Sequence, residues 1–375
     1  MTPKSEQDVA NAVADATGPI VIRGGGTRAI GRPLSGAVLS TAALTGIKLY
    51  EPGSLTIVAN TGTNLAQLET VLAGESQRLP FEPMDHQGLL GTKGCPTVGG
   101  IVAANVSGSR RIQAGACRDY LLGVRFVDGQ GTIIKNGGRV MKNVTGYDLV
   151  KLMAGSYGTL GVLTQVAFKV LPIPEVAATL SITNLSDIDA QRALSLALGS
   201  PYEVTGAAHA PQGTNDMPIT MIRIEGFENS VKYRAAKLKT ILEGIGEVWV
   251  ESDPEKSSAI WKWARDVELF HEKAGDVWRI SVKPTDGPAI GAKLDADGLL
   301  YDWGGGLIWA LLPEGTDARA RLAGFNGHAT LIRASNDTRS TLPVFQPEPA
   351  PLAAITKGLR NKFDPRGILN ANLMG

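Results

Sequence analysis

The sequence predicts an α+β protein of 375 residues, with a glycine-rich first half and a second half of alternating strands and helices. Three observations carry this. Of the 45 glycines, 26 fall before residue 173 and 19 after it, about 15% against about 9%, where about 7% is ordinary. All 6 tryptophans lie in the second part. Short apolar, β-branched runs bounded by Gly, Pro and Asn alternate with segments of helical period, most regularly beyond Pro174.

In chain order, a short helix around residues 6–16 precedes the strand Pro19-Ile20-Val21-Ile22-Arg23, which runs into Gly24-Gly25-Gly26-Thr27. Val38-Leu39-Ser40 and Leu55-Thr56-Ile57-Val58-Ala59 follow as strands, with Pro52-Gly53 as a turn between them. Thr63 or Asn64 caps a helix whose Leu65, Leu68, Val71 and Leu72 share one face. A glycine-punctuated stretch spans 88–115. Residues 122–127 and 132–134 then form a hairpin about Asp128-Gly129-Gln130-Gly131, since such turns permit positive φ. The run 160–171 is closed by Pro172-Ile173-Pro174, which sets a domain boundary: 1–172, then 173–345, then a returning segment 346–375. Beyond the boundary come strand 179–183, helix 187–198 and strand 219–224. A helix capped by Ser230 carries Val231, Ala235, Leu238 and Leu242 on one side. Strand 247–250, helix 260–272 and a final helix to Phe363 follow. This alternation implies helices packed on one sheet. No internal repeat or low-complexity tract is visible.

Lys plus Arg total 37 against 36 Asp plus Glu, a balance that excludes nucleic-acid or polybasic membrane attraction as the main function. Cys95 and Cys117 are too few for a disulfide framework or an iron–sulfur cluster. His86, His209, His271 and His328 show no metal-ligand spacing, so no metal is expected. The polar start is not a signal peptide, and no window approaches 18 apolar residues. A cytoplasmic chain is expected.

Three glycine clusters stand beside apolar strands: residues 23–27, 94–108 and 155–161. Glycine lets successive N–H groups converge and lets the main chain approach a ligand, which suits a large cofactor carrying phosphates. Gly24-Gly25-Gly26-Thr27-Arg28-Ala29 formally fits the dinucleotide fingerprint, but Gly31, Pro33 and Gly36 break the helix it must open. No P-loop spacing occurs. Ala154-Gly155-Ser156-Tyr157-Gly158 imitates a nucleophile elbow, yet a strand-like run follows where that motif needs a helix. Ser156 is read instead as a donor on a phosphate-facing turn.

Taken together, Arg23-Gly24-Gly25-Gly26-Thr27, Gly94-Cys95-Pro96-Thr97-Val98-Gly99-Gly100 with Asn105-Val106-Ser107-Gly108, and Gly155-Ser156-Tyr157-Gly158-Thr159-Leu160-Gly161-Val162 resemble the vanillyl-alcohol-oxidase, PCMH-type FAD-binding family. Asn143-Val144-Thr145-Gly146-Tyr147-Asp148-Leu149 fits the segment before the third cluster. Phe363-Asp364-Pro365-Arg366-Gly367-Ile368-Leu369-Asn370 resembles the closing signature of related 2-hydroxy-acid dehydrogenases. Within the family the chain is most similar to the FAD-binding subunits of bacterial glycolate oxidase (glycolate dehydrogenase).

The resemblance implies FAD held between two α+β subdomains and a cap of ferredoxin-like character. It makes residues 23–27 the first pyrophosphate loop and Gly94, Cys95, Pro96, Thr97, Gly99 and Gly100 the second, with Asn105 and Gly108 behind. Gly155, Ser156, Gly158, Thr159, Gly161 and Val162 would cover the adenosine and flavin side, and Asn370 would reach the flavin. No His stands near the first loop, so non-covalent FAD is expected. The cap region around Gly304-Gly305-Gly306 offers no metal-binding carboxylate or imidazole, and His328 reads as an ordinary loop histidine.

The implied role is an FAD-carrying subunit of a complex that converts glycolate to glyoxylate. A homologous larger flavoprotein subunit would oxidise the acid, and an iron–sulfur subunit would relay electrons to membrane quinone, placing the chain peripherally at the inner membrane. Two alternatives stand beside it: a stand-alone FAD dehydrogenase or oxidase of another hydroxy acid or alcohol, and an inactive FAD-fold binding module. No catalytic base can be named.

Overall fold

The computed structural model describes residues 1–139, 146–213 and 216–374. Helix Glu6–Ala14 starts at a reciprocal cap, with the Ser5 hydroxyl accepting the Asp8 N–H and the Asp8 carboxylate accepting the Ser5 N–H. Strands β1 (Ile20–Arg23) and β2 (Ala37–Ser40) pair in parallel, and residues 24–36 between them hold no helix. Strands β3 (Ile47–Glu51) and β4 (Thr56–Asn60) form a hairpin across Pro52-Gly53. The first of these escapes sequence reading because it is a half-buried edge strand.

Asn64 caps helix Leu65–Gly74, which leads to the two-residue strand β5 (Gln77–Arg78). The expected hairpin is β6 (Leu121–Val127) and β7 (Ile133–Gly137), with the Asp128 carboxylate accepting N–H groups of Gln130 and Thr132 across its turn. With β8 (Val162–Lys169) these complete an antiparallel sheet in the order β3-β4-β8-β6-β7. The short β9 (Leu171–Pro172) returns to pair with β5.

The remaining described strands form one antiparallel sheet of 8. Its first half is β10 (Val176–Thr183), helix Asp187–Leu198, β11 (Val204–Ala210), β12 (Ile219–Gly226), helix Glu228–Leu242 and β13 (Val248–Glu251). Its second half is β14 (Asp276–Val282), helix Gly287–Leu294, β15 (Gly298–Asp302), β16 (Leu307–Leu312), helix Ala318–Arg321 and β17 (Gly327–Arg333). Each half runs β-α-β-β-α-β, and the spatial order β13-β10-β12-β11 is repeated as β17-β14-β16-β15. The ferredoxin-like layer therefore occurs twice. The halves meet edge to edge at a single residue pair, His209 and Tyr301. The repeat is one of topology: in β16 every residue is buried, so the second half shows little alternation to read.

Two helix starts differ from expectation. Helix Glu228–Leu242 begins before Ser230, at the corner made by Gly226 and Phe227. Helix Pro254–Arg265 replaces the expected 260–272: the Asp253 carboxylate accepts the N–H groups of Glu255 and Lys256, and Pro254 occupies the first helical position. On that helix Trp261 is buried and donates to the Thr179 hydroxyl, while Trp263 is half-buried. Trp278, Trp303 and Trp309 are also buried, and Trp249 is exposed on the edge strand β13.

After helix Ala350–Phe363 the chain returns to its beginning. Arg366 donates to the carbonyls of Val13, Ala14, Ala16 and Gly129, and Leu369 bridges in parallel to Ile20. No described helix is long and apolar enough to cross a membrane.

Candidate functional site

The glycine clusters come together because their backbones touch. A Cβ on Gly25 would stand 1.6 Å from the Cys95 carbonyl oxygen, one on Gly24 2.6 Å from Thr97 Oγ1, and one on Gly94 2.2 Å from the Gly25 carbonyl. Only glycine permits that approach. Thr97 then caps helix Val98–Ala103, its Oγ1 accepting the Gly100 N–H, and a Cβ on Gly99 would lie 2.5 Å from Thr61. The third cluster turns on positive φ values at Gly155, Tyr157 and Gly158, of 87°, 52° and 72° respectively. Gly158 closes on Asn370, whose Oδ1 accepts the Ile22 N–H at 2.8 Å while its Nδ2 donates to the Tyr157 carbonyl at 2.7 Å.

These loops wall a cavity of about 800 Å³. Arg23, Gly24, Gly25, Gly26 and Thr27 line it, joined by Thr97, Gly99 and Gly100 from the second cluster and by Gly158, Gly161 and Asn370. Asn105 and Gly155 line a smaller neighbouring cavity. Gly94, Cys95, Pro96, Gly108, Thr159 and Val162 face neither, and hold the loops from behind. Ser156 departs from expectation: its buried hydroxyl donates to the Met153 carbonyl, which turns it away from the cavity. Asn143, Val144 and Thr145, with the neighbouring Lys142, lie outside the described residues. Arg118 and Asp119 form an exposed pair at 3.8 Å, with Asp119 also accepting the Ala116 N–H.

Apart from Arg23, sequence reasoning missed the cavity's cations. Arg28, Arg32, Lys93 and Arg339 line it, and no carboxylate does among the described residues. The buried Nε atoms of Arg28, Arg32 and Arg339 have no hydrogen-bond partner. Burial lowers Arg28 to about 10, which leaves it charged at neutral pH. Orphaned guanidinium donors beside backbone-lined glycine loops fit a pyrophosphate, and the volume lies within the roughly 300–1,000 Å³ of cofactor sites. The adjacency of Arg28 to the first loop was a usable signal. Arg339, from helix Asn336–Thr341, arrives through the fold alone.

Buried ion pairs join the segment between Arg78 and Arg110 to strand β12. Glu82 accepts both terminal nitrogens of Arg223 at 3.0 Å and lies 3.2 Å from Arg110. Glu225 accepts from Arg110 at 2.8 and 2.9 Å and from Arg78 at 2.8 Å. Despite burial, these guanidiniums hold Glu82 at about 2 and Glu225 well below the usual carboxylate range. Arg78, Glu82 and Arg110 precede residue 173, and Arg223 and Glu225 stand on β12.

Comparison with known proteins agrees with this geometry. Residues 1–137 match the family described as FAD binding domain. The glycolate oxidase subunit GlcE of Escherichia coli is 36% identical over 98% of this chain and 95% of its own length. The glycolate oxidase subunit GlcD of Bacillus subtilis is 33% identical over 65% of this chain and 50% of its own length. A solved structure of alkyldihydroxyacetonephosphate synthase superposes with a TM-score of 0.71 at 17% identity, covering 99% of this chain and 76% of that one, a likeness of fold alone.

Proposed function

The chain belongs to the FAD-dependent oxidoreductase family of the glycolate oxidase subunit GlcE, and from that premise we propose that it is the FAD-carrying subunit of a heteromeric enzyme oxidising glycolate to glyoxylate. The observation that carries the proposal is the 800 Å³ cavity with its converging glycine loops and carboxylate-free, cationic wall. Residues 1–172 would hold the cofactor, 173–345 form the cap, and 346–375 return to close the site through Asn370.

In this reading, residues 23–27 and the N-terminus of helix Val98–Ala103 receive the pyrophosphate, with Arg28 and Arg339 supplying positive charge. FAD supplies two-electron acceptance when bound. The protein's part is to bind it, exclude water and orient it against the cap. Attachment is non-covalent, so acid precipitation releases the flavin into the supernatant. The partners are a homologous larger flavoprotein subunit and an iron–sulfur subunit that passes electrons to membrane quinone, which would place the assembly peripherally at the membrane.

Expression with and without the partner chains tests the reading. The isolated chain should purify yellow with about one flavin per chain and should co-purify with its partners. Glycolate oxidation should be slow in the isolated chain and restored in the assembly. A colourless isolated chain, or one as fast alone as in the complex, overturns it.

A further inference from the structure

Beside the large cavity lies a second of about 350 Å³, and Ile30, Ala104 and Tyr157 belong to the walls of both. Its distinctive feature is two arginines without ion-pair partners among the described residues. Arg279 projects from β14 with its guanidinium carbon 5.0 Å from the ring centre of Trp303 and 5.9 Å from that of Trp309. Arg111 stacks on Trp303 at 4.2 Å. Burial lowers Arg279 to about 10, so it remains a cation at neutral pH.

Among the described residues, the remaining wall contains no Asp or Glu. His86 is 7% exposed with its Nδ1 unpartnered, and burial together with the Arg28 charge holds its pKa well below normal. His328, expected as a loop residue, stands on β17 at the same wall, also lowered by burial and the two arginines. Both shifts disfavour the imidazolium form, so the arginines are the wall's standing positive charge. Trp303 is fixed in place: Asp302 accepts its N–H at 2.7 Å and the Ser109 hydroxyl at 2.7 Å, and the indole N–H donates to the Gly108 carbonyl.

Arg279 is withdrawn from water and Arg111 half so, and the nearest carboxylates, Asp302 and Asp119, lie outside the cavity wall, so an anion inside it would complete the pair at close range. We propose that this second cavity binds a small organic carboxylate, held by Arg111 and Arg279 against the Trp303 and Trp309 rings, without a metal ion. No group of three or more His, Cys, Asp and Glu residues able to hold a metal occurs among the described residues. The apolar remainder, Met84, Ile332 and Phe345, favours an anion with a carbon skeleton over inorganic phosphate. The inference deepens the proposed function, resting on the larger cavity as the FAD site, and places carboxylate recognition in this chain as well as in any larger partner.

Tryptophan fluorescence of the purified chain, titrated with glycolate at constant ionic strength, tests it without reference to turnover. Glycolate and acetate should give a saturable change, ethylene glycol none, and inorganic phosphate should compete only weakly. Arg279→Gln should weaken glycolate binding by about 10- to 100-fold, the loss expected for a charge-assisted hydrogen bond, and Arg279→Lys should recover part of it. Arg111→Gln gives the same readout if the Arg279 variant does not fold. Equal binding by the variants, tighter binding of phosphate than of glycolate, or no saturable change in a chain with full flavin content overturns the proposal. Absence of flavin in a chain that still binds glycolate counts against the FAD reading instead.

Discussion

Replacing Glu82 by Gln keeps the side chain's size and removes one of two carboxylates facing Arg78, Arg110 and Arg223. The cost has two independent measures. Glu82 lies at about 2 in the folded chain against an ordinary value of 4.5, which corresponds to about 3 kcal/mol of stabilisation at neutral pH. Removing one member of a buried ion pair costs roughly 3–5 kcal/mol. With a urea m-value of about 3 kcal/mol per M, the unfolding midpoint, followed by tryptophan fluorescence, should fall by about 1 M. The pH dependence is specific. A depressed carboxyl pKa stabilises above its unfolded value and loses that contribution as pH falls through the folded one. The wild-type advantage should thus be full at pH 7, about three-quarters at pH 4 and under half at pH 3. A midpoint shift below 0.3 M (roughly 1 kcal/mol) at pH 7, or a gap that does not narrow between pH 5 and pH 3, would refute the role assigned to this network.

Gly25→Ala places a Cβ 1.6 Å from the Cys95 carbonyl, so the first two loops must separate; flavin absorbance per chain should fall by at least tenfold. Asn370→Ala removes the two hydrogen bonds to Ile22 and Tyr157, at about 1 kcal/mol each, and should weaken FAD binding by about tenfold or more in an equilibrium dialysis assay. Of the two thiols, exposed Cys95 should react promptly with a disulfide reagent, whereas Cys117, buried and with its pKa raised by that burial, should react only on unfolding. A count of two fast thiols would show that the core around Cys117 opens readily.

What the sequence made legible was local. The clusters at 23–27 and 155–161 announce themselves because close backbone approach and positive φ require glycine within a few residues. Asp253-Pro254 is likewise a complete helix-start signal, an acidic cap followed by Pro, that periodicity alone passes over. The cations are different in kind. Arg279 and Arg339 look like any other arginines in the sequence; helix Asn336–Thr341 carries Arg339 to the cavity of the glycine loops, and β14 carries Arg279 to the smaller one beside it. The doubled ferredoxin-like layer was hidden for a related reason: helix Ala318–Arg321 is a single turn, too short for amphipathic period to register.

The bond between Asn370 and Ile22 joins positions 348 residues apart. At roughly 5–20 residues per second of synthesis, the first glycine loop emerges about 20–70 s before the residue that locks it. On the role proposed for Asn370, stable flavin binding follows translation of the C-terminal segment rather than of the first loop. Supply of free FAD at that moment would set the yield of yellow protein, which riboflavin-limited expression can read directly.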